Sequence, residues 1–400
     1  MEKRILDIFR RLPTPRSEEG RNFRHPGWVI LLTTIFALVS GHSTYAAYEK
    51  YIRTKQKILR KRLHLPRLLI PSRSTIQRFW AEVDRIELFR VLYWVSVAIV
   101  GKVPMYALLH LDGKCIRGGG DNRPYLVNIY TEALKFVINA ELSGRHDSER
   151  NHAEDAVREA LRLTDAKTPT VTGDALHTTQ AFLSFLTKNG CHYLFCVKKE
   201  HKSTHTLITE WATYNHQRIE EKGMRKCSKG HGRVEERLVL ALPAEEILYD
   251  VAFRDVFPGV SSIILSIRKV KDMKTLHESE ELHVYVTSHT RETCREQLGM
   301  ELEELPIHRW SIETMHYLLD RHLGDDSAVV RNPETAANLS AARRFALFLF
   351  IGRMGRVPSS VVRNEIAAHP ECIVRLLTAP AQMKLTEEQV LGEASIPAAA

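Results

Sequence analysis

Cysteines are few and long apolar runs are missing in this chain of 400 residues. Its six cysteines form no C-x-x-C pair, so the sequence predicts neither a disulfide framework nor a zinc ribbon. The apolar stretches at residues 28–39 and 91–100 are too short for a membrane span, which needs roughly 20 residues. Residues 1–20 contain no apolar segment typical of a signal peptide. We therefore expect a protein of the reducing cytoplasm that has no membrane partner.

The charged residues carry more information than the missing ones. The charged fraction of 26% and the hydrophobic fraction of 44% are those of an ordinary folded protein. The formal net charge of +9 favours an acidic partner, with nucleic acid first among them. Mild basicity alone identifies no function, so the motifs have to carry the argument.

The N-terminal quarter of the chain predicts a bundle of short helices. The apolar segment 28–39 precedes a basic run at 53–62, and a third helix would expose Arg73 and Arg78. Short helices with a basic last helix resemble a helix-turn-helix that reads DNA. A helical bundle with solvated basic faces explains the pattern equally well. The first interpretation makes residues 1–103 a helical N-terminal DNA-binding domain.

From residue 104 the pattern changes to mixed α/β. Strand patterns occur at 106–118, 125–133, 135–142, 170–172 and 191–199, with one helical pattern at 153–163. Three antiparallel strands followed by alternating helix and strand resemble the order of an RNase H-like sheet. The fold class is therefore predicted to be α/β, an RNase H-like catalytic domain preceded by the helical domain. Its first part would be 104–199, followed by a β-rich insertion at 200–300, C-terminal core helices at 301–380 and a tail at 381–400.

Two aspartates follow strands of this predicted sheet. Asp112 comes at the end of the first strand, and Asp174 follows the strand at 170–172. In the predicted layout the two strands are neighbours, so the two carboxylates would lie side by side. The plain alternative is that Asp112-Gly113 and Gly173-Asp174 are only tight turns, because both pairs are common there.

A third acidic residue, Glu313, lies on a predicted helix. Ile312, Met315, Leu318 and Leu319 form an apolar stripe at helical spacing, so Glu313 would be on a buried helix. An acidic side chain there needs a cation beside it, either a metal ion or Arg309, four residues earlier on the same predicted helix. A surface Arg309–Glu313 pair is the plain alternative.

Together the three carboxylates predict a metal site. Carboxylate oxygens suit Mg²⁺ or Mn²⁺, and two such ions about 4 Å apart can support an in-line displacement at phosphorus. Asp112, Asp174 and Glu313 would be both the catalytic residues and the metal ligands. Phosphate contacts are expected from three basic residues, Lys114, Arg117 and Arg309.

Five segments in this order are similar to one known family. They are LDGKCIRG at 111–118, TGDALHTT at 172–179, KGHGRVEER at 229–237, RWSIETMHYLLD at 309–320 and DDSAVVR at 325–331. With them the chain resembles the DDE-type insertion-sequence transposases, specifically the H-repeat-associated (ISAs) group, over about residues 22–350.

The resemblance implies a metal-dependent enzyme that cuts and joins DNA. Its catalytic triad would be Asp112, Asp174 and Glu313, working with Mg²⁺ or Mn²⁺ on double-stranded DNA. The partners would be the terminal inverted repeats of a transposon and target DNA, and a homodimer is expected because two ends must be brought together. The protein would act at the bacterial nucleoid.

Further basic residues complete the predicted DNA contacts. His231 and Arg233 follow a glycine-rich bend and would touch DNA, although a solvated turn histidine is an equal alternative. Arginines of the C-terminal helical block suggest a second surface that contacts the DNA backbone, and they are Arg343, Arg344, Arg353 and Arg356.

Two other functions remain open at this point. One is a transposase-derived DNA-binding protein whose catalysis has lapsed or been co-opted, motivated by departures from the family pattern near residues 150–153 and 198–201. The other is a nuclease on the same sheet that does not rejoin DNA. Three carboxylates that would repel one another without a metal favour the active enzyme.

Overall fold

The structure is a computed structural model, and it describes residues 3–15, 25–117, 124–143, 149–198, 201–230, 232–327, 330–381 and 383–392. His231 lies outside these residues. The DNA contact predicted for that histidine therefore has no structural counterpart here.

Helices and strands alternate along the chain much as the sequence predicts. The helices are α1 Lys3–Phe9, α2 Gly27–Val39, α3 Tyr45–Arg62, α4 Arg73–Glu82, α5 Arg85–Val100, α6 Glu149–Leu163, α7 Gln180–Lys188, α8 Lys202–Tyr214, α9 His216–Lys222, α10 Ala244–Ile247, α11 Val251–Asp255, α12 Arg291–Leu298, α13 Leu305–His308, α14 Ser311–Leu323, α15 Pro333–Met354, α16 Ser360–Ala368, α17 Pro370–Thr378 and α18 Glu387–Leu391. The strands are β1 Leu108–Cys115, β2 Tyr125–Thr131, β3 Phe136–Ser143, β4 Thr170–Gly173, β5 His192–Val197, β6 Met224–Gly230, β7 Arg233–Pro243, β8 Ser262–Asp272 and β9 Glu278–Thr287.

The chain divides into two compact units. Unit 1 consists of Met1–Pro104, Gly113–Asp165 and Glu313–Ala400, and unit 2 consists of Met105–Asp112 and Ala166–Ile312. Strand β1 therefore begins in unit 2 and ends in unit 1.

Unit 1 is mainly helical. Every residue of α2 is buried, as expected for a helix that is apolar on all sides. The helices that follow are capped by hydroxyl groups: Thr44 accepts a hydrogen bond from the Ala47 amide at 3.2 Å, and Ser72 accepts one from the Thr75 amide at 3.2 Å. Among the helices that the structure describes, none is both long and apolar enough to cross a lipid bilayer.

Unit 1 also contains a β-hairpin. Strands β2 and β3 pair antiparallel from Tyr125–Ser143 to Thr131–Phe136. The Lys135 amide donates to the Glu132 carbonyl at 3.2 Å and closes the turn between them. The strands predicted at 125–133 and 135–142 are therefore present and paired.

Unit 2 is organised around a sheet in the order β1-β4-β5-β9-β8-β7-β6. Strands β1, β4 and β5 are parallel, and all later pairs are antiparallel. The fold is therefore mixed α/β, with a large sheet and many helices.

The segment predicted as a β-rich insertion extends this sheet. Strand β9 pairs directly with β5, from Leu194–Thr287 to Val197–Val284, so β6–β9 do not form a sheet of their own. The segment also begins with two helices, α8 and α9, where the sequence analysis expected mostly strands. Cys196 is buried on β5.

Candidate active site

Asp112 lies on β1, and Asp174 directly follows the neighbouring parallel strand β4. The pairing of β1 with β4 ends at His110–Thr172, and each aspartate follows its member of that pair by two residues. Because neighbouring strands are about 4.8 Å apart, equal positions beyond the last pair put the backbones of both residues close together. Asp174 follows the end of β4 as predicted, but Asp112 lies within β1, which continues to Cys115, so the prediction that the first strand ends at Asp112 is wrong.

Close packing around position 173 explains why a glycine precedes Asp174. A Cβ atom at this position would lie 2.6 Å from Cε1 of Phe195 and 3.4 Å from the carbonyl oxygen of Leu111. The first distance is shorter than any tolerated contact, so only glycine lets β4 end this close to the side chain of β5. The glycine of the Gly173-Asp174 pair is therefore favoured by strand packing, and the pair is more than a common turn pair.

The side chain of Asp174 is fixed by the turn that it begins. Its Oδ1 accepts a hydrogen bond from the Leu176 amide at 3.0 Å and caps a short 3₁₀ turn at Ala175–His177. In the same turn, the Thr178 hydroxyl donates to the Cys196 carbonyl on β5 at 2.7 Å. One carboxylate oxygen of Asp174 is thus occupied by the turn, and the half-buried side chain is held in one direction.

Glu313 is half-buried in the first turn of α14. Of the predicted apolar stripe, Ile312, Met315 and Leu319 are buried, whereas Leu318 is half-buried. Helix α14 begins at Ser311, however, so Arg309 lies in the turn before it and not on the same helix as Glu313. That part of the prediction is wrong, because the chain forms the separate short helix α13 and a turn before α14 begins.

The three acidic residues divide between the two units. Asp112 and Asp174 belong to unit 2, whereas Glu313 begins the last segment of unit 1. Within the described ranges, no group of three or more His, Cys, Asp or Glu side chains could hold a metal ion. The structure places the two aspartates at equal positions along neighbouring strands, and the complete triad stays a prediction.

Lys114 forms a cluster of charges that the sequence analysis did not find. Its ammonium lies 2.8 Å from both carboxylate oxygens of Asp320 and 3.3 Å from Oδ1 of Asp326. Arg117 Nε lies 3.6 Å from Oδ2 of the same Asp326. We call these four residues the Lys114 cluster. Lys114 is only 7% exposed, whereas the Arg117 side chain is 76% exposed, so of the two only Arg117 presents its charge to solvent.

Arg309 packs against an aromatic ring. Its guanidinium lies 4.7 Å from the centre of the Trp310 ring, and the guanidinium of Arg237 lies 5.6 Å from the same centre. Such contacts are typical cation–π pairs. Arg233 is exposed on β7, after a bend at Gly232 whose φ is 75°, and its Nε lies 3.5 Å from Asp272. The DNA contacts predicted for Arg309 and Arg233 remain predictions.

Arg73 and Arg78 of α4 are exposed. The Arg73 amide donates to Glu49 at 2.8 Å, and Arg78 Nε donates to the Ser74 carbonyl at 3.3 Å. Both side chains lie on the exposed face of α4. The helices are as predicted, while the DNA contact of α4 stays a prediction.

The arginines of α15 do not form a surface. Arg343, Arg344 and Arg353 are each at most 2% exposed, and Arg356 is paired with Glu387 at 2.9 Å. The prediction of a DNA-contacting surface here is wrong for the first three. They lie on a helix that is apolar on nearly all sides and is therefore buried.

Comparison with known proteins matches two segments of the chain to known families. Residues 108–349 match the family described as "Transposase DDE domain", and residues 6–95 match the family described as "DDE_Tnp_1-associated". A protein of Escherichia coli O157:H7 named "Putative transposase YncI" is 23% identical over 86% of this chain and 86% of its own length. The "Uncharacterized protein in dhlA 3'region" of Xanthobacter autotrophicus is 25% identical over 71% of this chain and 94% of its own.

Proposed function

The chain belongs to the transposase DDE domain family, and from that premise we propose that it cuts DNA at transposon ends and joins the ends to target DNA. The observation that carries the proposal is the placement of Asp112 and Asp174 just beyond the same pair of residues on neighbouring strands. Within the family, the H-repeat-associated group fits the five sequence motifs. The RNase H-like arrangement of the sheet belongs to the same proposal.

We propose Asp112, Asp174 and Glu313 as the catalytic triad and as the metal ligands. Domains of this family use divalent metal ions, and the residues fit Mg²⁺ or Mn²⁺ because all three supply carboxylate oxygens. When bound, two such ions would neutralise charge at the phosphorus and lower the pKa of the attacking hydroxyl or water.

The protein's own groups would orient the DNA around this site. The turn that fixes Asp174 leaves its second carboxylate oxygen for a ligand. The exposed guanidinium of Arg117 and that of Arg309 would hold backbone phosphates, since guanidinium groups match phosphate geometry. Residues of α3 and α4, with Arg73 and Arg78 foremost, would bind the terminal inverted repeats, and Arg233 would contact DNA on β7. Synapsis of two ends would require a homodimer.

The direct test is cleavage of a duplex that carries the terminal inverted repeat flanking the gene. Asp112→Asn, Asp174→Asn and Glu313→Gln should each abolish Mg²⁺-dependent nicking while retaining DNA binding, because each removes a charged ligand and little volume. Asp155→Asn, an exposed aspartate on α6, is the matched control and should cleave as the wild type does. Normal cleavage by all three triad variants contradicts the assignment.

The same assay separates the alternatives. A wild-type protein that binds the duplex but never nicks it, with Mg²⁺ or Mn²⁺, would be a transposase-derived DNA-binding protein whose catalysis has lapsed. Nicked ends that are never joined to a target duplex would indicate a nuclease that does not transpose DNA.

A further inference from the structure

Lys114 connects a strand to a helix and to the turn that follows the helix. It lies on β1, two residues after Asp112, so the two residues share a face of the strand. Asp320 lies on α14, and Asp326 lies in the turn after that helix. The two contacts at 2.8 Å and the one at 3.3 Å match the three N–H donors of an ammonium group. Lys114 therefore fixes the C-terminal half of α14 to β1.

Asp320 shares its helix with Glu313. The two residues are seven positions apart, which is close to two helical turns, so they lie on nearly the same side of α14. The apolar stripe limits how far α14 can tilt, but apolar contacts are not directional, and rotation about the helix axis is controlled better by a polar contact. The Lys114–Asp320 contact supplies that control from the strand that carries Asp112.

The turn after α14 is held in the same way. Asp325 accepts a hydrogen bond from the Ser340 hydroxyl at 2.9 Å and one from Nη1 of Arg343 at 3.3 Å, both on α15. The guanidinium of Arg344, also buried on α15, interacts electrostatically with Asp325 and Asp320. Asp320 thus interacts with two buried cations, Lys114 and Arg344.

We propose that Lys114 is a positioning residue that sets the rotation of α14 and thereby the direction of the Glu313 carboxylate. The inference rests on the function proposed above and replaces a direct phosphate contact by Lys114. A phosphate approaching Lys114 would meet an ammonium that is already enclosed by two carboxylates, with a net charge of about −1 for the three groups at neutral pH. Arg117 keeps its exposed charge and remains the phosphate contact on this segment.

The expected effect follows from catalytic geometry. A displacement of about 1 Å in a catalytic group can cost on the order of 100-fold in rate. Loss of the Lys114 contact should therefore lower the cleavage rate without weakening the binding of DNA.

The experiment compares Lys114→Met, Asp320→Asn and the double variant with the wild type on the terminal-repeat duplex. We expect each single variant to cleave at least about 10-fold more slowly at saturating DNA and to need more Mg²⁺ for its half-maximal rate. The double variant should be no slower than the slower single variant, because both changes remove the same contact. Because it leaves neither partner of the Lys114–Asp320 pair charged, the double variant also keeps the test valid if Lys114→Met folds poorly.

DNA binding without divalent ions distinguishes the two roles of Lys114. If it positions α14, Lys114→Met leaves the dissociation constant and its salt dependence within about 2-fold of the wild type. If it contacts a phosphate, binding weakens and the slope of log K against log salt falls by about 0.9. The second result overturns the inference, as does Asp320→Asn cleaving at the wild-type rate.

Arg85→Met is the control for loss of an ion pair as such. Arg85 pairs with Glu141 at 3.3 Å and with Glu334 at 2.9 Å, also in unit 1. This variant should lower the melting temperature and leave the Mg²⁺ dependence unchanged. A Mg²⁺ dependence shifted equally in Arg85→Met and Lys114→Met overturns the inference. A wild-type protein that does not cleave overturns the proposed function, whereas a wild type that cleaves no faster than Lys114→Met overturns only the role of Lys114.

Discussion

The two units place their charged side chains in opposite environments. In unit 1, Asp325 and Arg343 form a pair whose side chains are 0% and 1% exposed. In unit 2, the outer halves of β6–β9 carry rows of pairs that face solvent, among them Lys271–Glu278 at 2.7 Å. Breaking a buried ion pair is costly, because the charge that remains is neither paired nor hydrated. An exposed ion pair contributes little to the free energy of unfolding. The same chemical contact should therefore have very different energies in the two units.

The largest effect is expected from the buried pair of unit 1. Asp325→Ala leaves Arg343 as a buried charge without its carboxylate and removes the acceptor of the Ser340 hydroxyl. We expect the free energy of unfolding to fall by about 3–5 kcal/mol. Urea denaturation followed by circular dichroism measures it directly.

Arg344→Met is the control for this prediction. Burial lowers the pKa of the Arg344 guanidinium to about 10, and its three nitrogens have no hydrogen-bond partner among the described residues. Methionine fills a similar volume without the cost of burying a charge, so we expect a change of at most about 1 kcal/mol. If both variants lose the same free energy, hydrogen bonding to Asp325 does not distinguish the two arginines.

The arginines of α15 also show why the prediction of a DNA-contacting surface failed. Charged residues are usually exposed, which made Arg343, Arg344 and Arg353 look like a DNA-binding surface. The sequence of α15 contained the contrary signal, because apolar residues occur on nearly all of its sides. Arg353 is buried because backbone carbonyls surround it, including those of Leu376 at 2.8 Å and Pro380 at 3.0 Å. Those acceptors lie beyond the helix and cannot be located from sequence.

Other parts of the fold could be predicted because their causes are local. The position of Asp174 after β4 follows from an apolar run that stops at a polar residue, and the caps at Thr44 and Ser72 follow from residue type. The end of β1 did not follow in this way, because the strand continues past Asp112 to Cys115. The pairing of β9 with β5 depends on which strand edges meet, and period-two alternation does not encode that choice. For the same reason the Lys114–Asp320 contact, 206 residues apart, could not be read from the motifs that contain its partners.

An intermediate effect is expected from a buried histidine of unit 2. Nε2 of His289 forms a hydrogen bond with the Thr170 hydroxyl at 2.7 Å. The centre of the His289 ring lies 4.0 Å from the centre of the His192 ring, and the two rings are stacked. Burial, and to a lesser degree His192, lowers the pKa of His289 to about 3, so the folded protein keeps the ring neutral. The unfolded chain binds a proton near pH 6.5, so stability is complete above that pH and falls as the pH drops from 6.5 towards 3.

The measurement is the free energy of unfolding at pH 7.5 and at pH 5. For this one group we expect a loss of about 2 kcal/mol between the two conditions. His289→Gln cannot titrate and should lose correspondingly less over the same range, although it will be less stable at pH 7.5. Equal losses in the two proteins would place the pKa of His289 near its ordinary value and contradict the prediction. The result also shows whether burial makes a charge as costly in unit 2 as in unit 1.

The smallest effect is expected from the half-exposed ion pairs of β7 and β8. Glu235 lies 2.8 Å from Nη2 of Arg268 and 2.6 Å from Nε of Arg237, and hydrogen bonding by Arg268, followed by Arg237, lowers the pKa of the Glu235 carboxyl. The contribution of the Glu235 carboxylate to stability is therefore complete above the ordinary pKa of a glutamate. It is lost as the pH falls through the lower pKa that this group has in the folded protein.

Because water screens these half-exposed groups, Glu235→Gln should lower the free energy of unfolding by less than about 1 kcal/mol at neutral pH, and by less still in high salt. Urea titrations at low and high salt measure this difference, which should narrow as the solution is acidified. A loss of about 3 kcal/mol that salt does not change would show that β7 and β8 hold this carboxylate as tightly as α15 holds Asp325, and the contrast between the two units would then not depend on exposure.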